Sequence, residues 1–160
     1  MLPYLLIILA FAADRLTKWW VANSFQEHSD TRISSFLTVH PTYNSGIVFG
    51  LLQGIGPTIG WLSITIVIGL AVYLIWVPRS MWLLRIGLAL LIGGALGNLV
   101  DRVTAGQVLD FIQISLRPGV FNIADVMIQV GVLMSLVGSL LHREAQRTEA
   151  QEVAVYETVE

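Results

Sequence analysis

Apolar residues in this chain come in long unbroken blocks and seldom alternate with polar ones. No Asp, Glu, Lys or Arg occurs before Asp14, between Arg32 and Arg79, from Ile86 to Val100, or from Val126 to Leu141. A helix that crosses a bilayer needs about 20 mostly apolar residues. The blocks predict four such spans, over about 2–22, 57–77, 81–101 and 122–141, with Pro78-Arg79-Ser80 as a tight turn between the second and third. Two stretches fall outside them. Residues 23–56 begin polar and then gain β-type residues, so that Arg32 to Val39 and Tyr43 to Gly50 read as strands. In 106–119, Val108 to Ile114 reads as a strand closed by a turn at Arg117-Pro118-Gly119. Both stretches follow an odd-numbered span, so both lie on one face of the membrane. The predicted fold class is an α-helical integral membrane protein, with four transmembrane helices and a small extramembrane sheet in a single domain over 1–141.

Composition supports the solvent assignment. Of 160 residues, 55% are hydrophobic and 12% charged, with a mean hydropathy of +0.73, whereas a soluble domain carries roughly 25% charge. The net charge of -2 offers no nucleic-acid surface. Its acidity belongs to residues 142–160, where Arg143 and Arg147 face five glutamates. That segment is expected to be a disordered tail. With no cysteine, disulfides, thiolate metal sites and cysteine nucleophiles are excluded. His28, His40 and His142 are scattered and no HExxH occurs, so neither metal nor cofactor is expected. Leu5 to Ala13 has the apolar look of a signal peptide, but no Lys or Arg precedes it and Trp19-Trp20-Val21 continues the apolar pattern. Counting Lys and Arg on the two faces does not orient the bundle.

The informative residues are the polar ones that hydrocarbon disfavours. An ionisable group within a span costs a few kcal/mol and needs a partner or a function. Asp14 and Lys18 are four apart and share a helix face, suited to a neutralising pair. Gly94, Asn98 and Arg102 also share one face, and Gly93 and Gly97 have the small-xxx-small spacing that lets another helix approach. Helix packing plus an interfacial Asp101–Arg102 pair accounts for the glycines but not for a buried Asn98. Asp110 lies in the strand-like segment after the third span. Asp125 lies in the first turn of the fourth, behind Asn122 as a candidate N-cap. Singly these are a loop carboxylate and a helix-dipole carboxylate. Together, at one membrane boundary, they form a pair that can share a proton, one acting as general base on water and the other as general acid. A proton path in a small transporter or channel is the competing use of Asp14, Asp101 and Asp125. It calls for carboxylates at mid-bilayer depth and an inverted repeat, which the sequence does not display.

Five blocks occur in an order that resembles bacterial lipoprotein signal peptidase (signal peptidase II). They are Asp14-Arg15-Leu16-Thr17-Lys18, Tyr43-Asn44-Ser45-Gly46-Ile47-Val48-Phe49-Gly50, Gly93 through Arg102, Val108-Leu109-Asp110-Phe111-Ile112 and Phe121-Asn122-Ile123-Ala124-Asp125. The resemblance covers about 10–141. It implies an aspartic endopeptidase of the bacterial inner membrane that cuts prolipoproteins just before a diacylglyceryl-modified cysteine. Asp110 and Asp125 match the family's catalytic dyad. Asp14, Lys18, Asn44, Gly94, Asn98, Arg102, Asn122 and Ala124 match its support and substrate-positioning set. The resemblance further implies an extracytoplasmic β-cradle over 23–56 with 106–119, cytoplasmic termini and an active site near the extracytoplasmic face. Expected partners are prolipoproteins, membrane lipid and globomycin-type inhibitors, acting on a monomer without cofactor. The chain departs from the family where Ile47 and Val48 replace small residues and Tyr43 often replaces a basic one.

Overall fold

The computed structural model describes residues 1–46, 56–116 and 118–157. Four helices and a four-stranded sheet follow in the order α1 (Leu2–Ser24), β1 (Thr31–Arg32), β2 (Leu37–Asn44), α2 (Gly56–Trp76), α3 (Trp82–Ala105), β3 (Val108–Ile114), β4 (Val120–Phe121) and α4 (Ile123–Glu157). Each predicted apolar block has become a helix. α1 has 23 residues and α3 has 24, about 35 Å each at 1.5 Å per residue. By length and composition, Trp82–Ala105 and Ile123–Thr148 suffice to cross a bilayer. α1 carries Asp14, Arg15 and Lys18 in its second half, and Trp61–Trp76 of α2 is a shorter apolar segment.

α3 is the central helix, packed against α1, α2 and α4. Glycines set how closely it approaches two of them. A Cβ on Gly93 would lie 2.6 Å from Ala10 Cβ, and one on Gly97 would meet the Asp14 carboxyl carbon at 2.8 Å. The small-xxx-small spacing therefore serves the α1–α3 seam, and Gly97 leaves room for a charged side chain. On its other side α3 meets α4 through Gly87 and Gly94. Against α2 it builds an apolar cluster of Val67, Leu74, Val77, Leu84, Leu88 and Ile92. Arg85 reaches back to the carbonyls of Leu74 (3.1 Å) and Val77 (2.5 Å), supplying donors to the end of α2 that its own ladder leaves open.

The outside of the bundle is apolar. Leu5, Ile8, Ile66, Ile75, Leu133 and Leu136 are all at least half exposed. Such a surface suits hydrocarbon and not water. The five tryptophans, Trp19, Trp20, Trp61, Trp76 and Trp82, are also exposed, and each stands near a helix end.

The sheet has the order β1-β2-β3-β4, all antiparallel. Its strands differ from those read in the sequence. Residues 33–36 form a turn, with Ile33 and Ser34 N–H both donating to Leu37 O and Ser34 Oγ accepting from Leu37 N–H at 3.2 Å. The predicted strand over 32–39 is thus split, and β2 runs on through Tyr43 and Asn44. The remainder of the predicted 43–50 strand, Ile47 and Val48 included, lies outside the described residues. The tail differs too: α4 continues to Glu157 in place of the expected disordered segment. No Gly or Pro follows Gly138 before the helix ends, and Ala, Gln, Glu and Arg there are good helix formers.

Candidate active site

The sheet lies where α1 and α3 end and α4 begins, and Asp14, Lys18, Asn44, Asn98, Arg102, Asp110, Asn122, Ala124 and Asp125 gather at that end. Asp110 is brought in by β3. Its neighbours Leu109 and Phe111 are buried with Val39 against Val21, which fixes the strand on α1. Opposite, β2 carries one extra residue between Val39, paired with Ile112, and Thr42, paired with Asp110. Pro41, which has no N–H for the ladder, falls at this bulge. A one-residue slip moves every later side chain to the other face of the sheet. The bulge therefore puts Asn44 on the side of Asp110, where its Nδ2 donates to Asp110 Oδ2 at 3.1 Å.

Asp125 is brought in by the first turn of α4. Asn122 Oδ1 accepts the Asp125 N–H at 2.9 Å, and Asp125 Oδ2 accepts the Asn122 N–H at 3.2 Å. This reciprocal arrangement is a capping box, with Asn122 the N-cap expected from sequence. The cap also joins the two carboxylates, because Asn122 Nδ2 donates to Asp110 Oδ1 at 2.7 Å. Asp110 and Asn122 are both buried, at 4% and 0% exposure.

Behind the two carboxylates is a largely buried charge cluster. Asn98 Nδ2 donates to Asp125 Oδ1 at 2.8 Å. Asn98 Oδ1 accepts from Asn122 Nδ2 (3.1 Å) and from Lys18 Nζ (2.8 Å). Lys18 also forms close charge pairs with Asp14 Oδ2 (2.9 Å) and Asp101 Oδ2 (2.7 Å), while its directional hydrogen bond goes to the amide. Asp14 Oδ1 accepts the Ala124 N–H at 3.0 Å, tying α1 to the start of α4. The Asp14–Lys18 pair is as expected. Asp101 is paired with Arg15 and Lys18 of α1, not with Arg102 as a packing-only reading of this helix end has it. The signal in the sequence is spacing: Asp101 is three residues beyond Asn98, and Arg15 is three residues before Lys18.

Gly94 lies deeper along α3, where a Cβ would come within 2.6 Å of Ala124 O. Its bare backbone lets α4 begin close enough for Asp125 to reach Asn98. The charge of Arg102 acts on Asp125, Asp110 and Asp101, and its buried Nε has no hydrogen-bond partner among the described residues.

Burial, followed by the charge of Asp125, pushes the Asp110 carboxyl up from 3.8 to about 6, against the lowering effect of the Asn44 and Asn122 hydrogen bonds. The folded state then binds more protons than the unfolded chain between those values. Asp110 favours the fold fully below about pH 4, and this contribution is lost as pH rises through about 6. Difference infrared titration should show the Asp110 carboxylic C=O band disappearing with a midpoint near 6. Asp125→Asn should lower that midpoint by removing the neighbouring charge.

Residues 6–141 match the family model described as signal peptidase (SPase) II. The chain is 35% identical over 144 residues to the lipoprotein signal peptidase of Shewanella woodyi, covering 86% of this chain and 82% of that one. It is 36% identical over 137 residues to the lipoprotein signal peptidase of Moorella thermoacetica, covering 83% and 89%. Two solved structures, each described as a bacterial membrane enzyme, superpose with TM-scores of 0.81 and 0.77. Their sequence identities are 28% and 29%, covering 90% and 86% of this chain and 90% and 92% of theirs. With the match extending over all four helices and the sheet, the chain belongs to the signal peptidase II family.

Proposed function

We propose that this protein is an aspartic endopeptidase of the bacterial cytoplasmic membrane that removes the signal peptide from diacylglyceryl-modified prolipoproteins, cutting just before the lipidated cysteine. Family membership supports signal-peptide removal from prolipoproteins and a place in a bacterial membrane. The observation that carries the chemistry is the convergence of two carboxylates, from β3 and α4, on one residue: Asn122 Nδ2 donates to Asp110 Oδ1 and the Asn122 N–H donates to Asp125 Oδ2. Asp110, with its raised pKa, holds the proton. The Asp125 carboxylate takes a proton from water as the water oxygen bonds to the scissile carbonyl carbon, and Asp110 gives its proton to the carbonyl oxygen. Collapse of the tetrahedral diol breaks the C–N bond, with the proton on Asp125 passing to the leaving amine of the cysteine and a diol proton returning to Asp110. Asn44, Asn98 and Asn122 hold the carboxylates, and the charge of Arg102 acts on both of them.

All four helices cross the bilayer in this reading. Trp61 and Trp76 mark the two ends of α2 and are fifteen positions apart, about 23 Å. Trp19 and Trp20 share the sheet end with Trp61, and Trp82 shares the other end with Trp76, which suits two aromatic belts. Both termini are then cytoplasmic, and the sheet is an extracytoplasmic cradle. The dyad lies at the boundary where lipid-borne substrate and water meet. The protein acts as a monomer without cofactor, and globomycin-type peptides block it.

Purified protein in liposomes, given one prolipoprotein with and without its diacylglyceryl group, tests this reading. Mass spectrometry should find a single cut before the modified cysteine, insensitive to chelator and to serine-protease reagents and abolished by globomycin. Equal cleavage of the unmodified form, or none of the modified one, contradicts it.

A further inference from the structure

Asn98 is an amide with a direction. Its Nδ2 faces the Asp125 carboxylate, while its Oδ1 faces two donors, Lys18 Nζ and Asn122 Nδ2. Turning the amide over would set an NH2 against an ammonium and a carbonyl against a carboxylate, so the buried ammonium of Lys18 fixes which end Asp125 meets. What fixes Lys18 is less obvious. Asp14 is on the same helix, and its Oδ1 is committed to the Ala124 N–H. Asp101 differs: it is on α3, three residues beyond Asn98, and its Oδ2 lies 2.7 Å from Lys18 Nζ. Its Oδ1 accepts from Arg15 Nη1, one turn before Lys18 on α1. Asp101 is 9% exposed, so its contact with the buried Lys18 is made out of bulk water, while Arg15 reaches it from a partly exposed position. The four side chains balance, two acids against two bases.

We infer that Asp101, anchored by Arg15, is a positioning residue that acts through Lys18 and Asn98 to give Asp125 its amide donor. It touches neither substrate nor the dyad. Without its charge, Lys18 is drawn toward Asp14 alone and its hold on the Asn98 carbonyl weakens. The general base then loses a fixed hydrogen bond. This role rests on the proposed dyad chemistry for its kinetic consequence, but the linkage from Asp101 to Asn98 is structural and can be read separately.

Asp101→Asn keeps the shape and removes the charge. In single-turnover cleavage of a diacylglyceryl-modified prolipoprotein, it should lower kcat about tenfold with KM nearly unchanged, as should Asn98→Ala. The double variant should be no slower than Asn98→Ala alone, because both act along one path. Arg15→Lys should keep wild-type kcat, and Arg15→Gln should lower it in the same direction as Asp101→Asn. A role confined to folding would instead lower the thermal midpoint, leave kcat per folded enzyme unchanged, and overturn the inference. So would losses in the double variant that multiply. The side-chain amide resonance of Asn98, assigned by its loss in Asn98→Ala, gives a readout that needs no turnover. It should move in Asp101→Asn and stay in place in Arg15→Lys, and an unmoved resonance in Asp101→Asn overturns the linkage even if cleavage fails for other reasons.

Discussion

Replacing Lys18 with Met should cost this protein about 3–5 kcal/mol of stability, the usual penalty for removing one partner of a buried ion pair. Lys18 is 3% exposed and is the single cation shared by Asp14, at 0%, and Asp101, at 9%. Met fills much of the same volume, so the loss is electrostatic and not a cavity effect. Asp101 keeps Arg15, Asp14 loses the ion pair with Lys18, and the Asn98 carbonyl loses its ammonium donor. The damage is local to the α1–α3 seam, where Gly97 offers no side chain to fill in. Unfolding in detergent–lipid micelles, followed by tryptophan fluorescence, measures the effect. Adding Asp14→Asn to Lys18→Met should restore part of the stability by withdrawing an unpaired charge. Wild-type stability in the single variant would show that the cluster does not hold the helices together.

That cluster also marks how far the sequence could be read. Blocks of apolar residues located all four helices, because lipid-facing and buried positions are alike in hydrophobicity and the signal does not depend on which face a residue takes. Asn122 was legible as a cap because the motif is local: an N-cap and its partner three residues on are in contact by helix geometry. Small residues at Gly93 and Gly97 announced a close helix neighbour. They did not say that the neighbour was α1 or that the space held the Asp14 carboxylate.

Long-range pairings were not legible. Asp101 follows directly before Arg102 in the chain, but neighbouring helical residues point in different directions, so its partners are Arg15 and Lys18, more than eighty positions away. The bulge at Pro41 was equally hidden. A strand pattern reads two faces by parity, and one inserted residue exchanges them, which is how Asn44 comes to face Asp110. The charge of the tail predicts disorder, whereas its helix formers continue α4. The transporter alternative is weakened by the same geometry. Asp14 and Asp101 are committed to Lys18 and Arg15 in place of lining a path, and Asp110 and Asp125 converge at one end of the bundle.

The second large effect concerns the dyad. Asp110→Asn and Asp125→Asn each preserve shape and one acceptor oxygen while removing the ability to cycle a proton. Proton transfer by a positioned side chain contributes about 10²–10⁴-fold to rate, and members of one catalytic unit do not fail additively. Each single variant should therefore lose at least about 10³-fold in turnover, and the double variant little more. Neither should unfold. Asn at 110 keeps one of the two acceptors that Asn44 and Asn122 use, and the backbone N–H of residue 125 still caps onto Asn122 Oδ1. The most direct test of the account is the rate of cleavage of a diacylglyceryl-modified prolipoprotein by wild type, Asp110→Asn and Asp125→Asn in the same liposomes, with thermal midpoints measured alongside. The account predicts wild-type cleavage before the modified cysteine and none detectable from either folded variant; full activity in either one would contradict it.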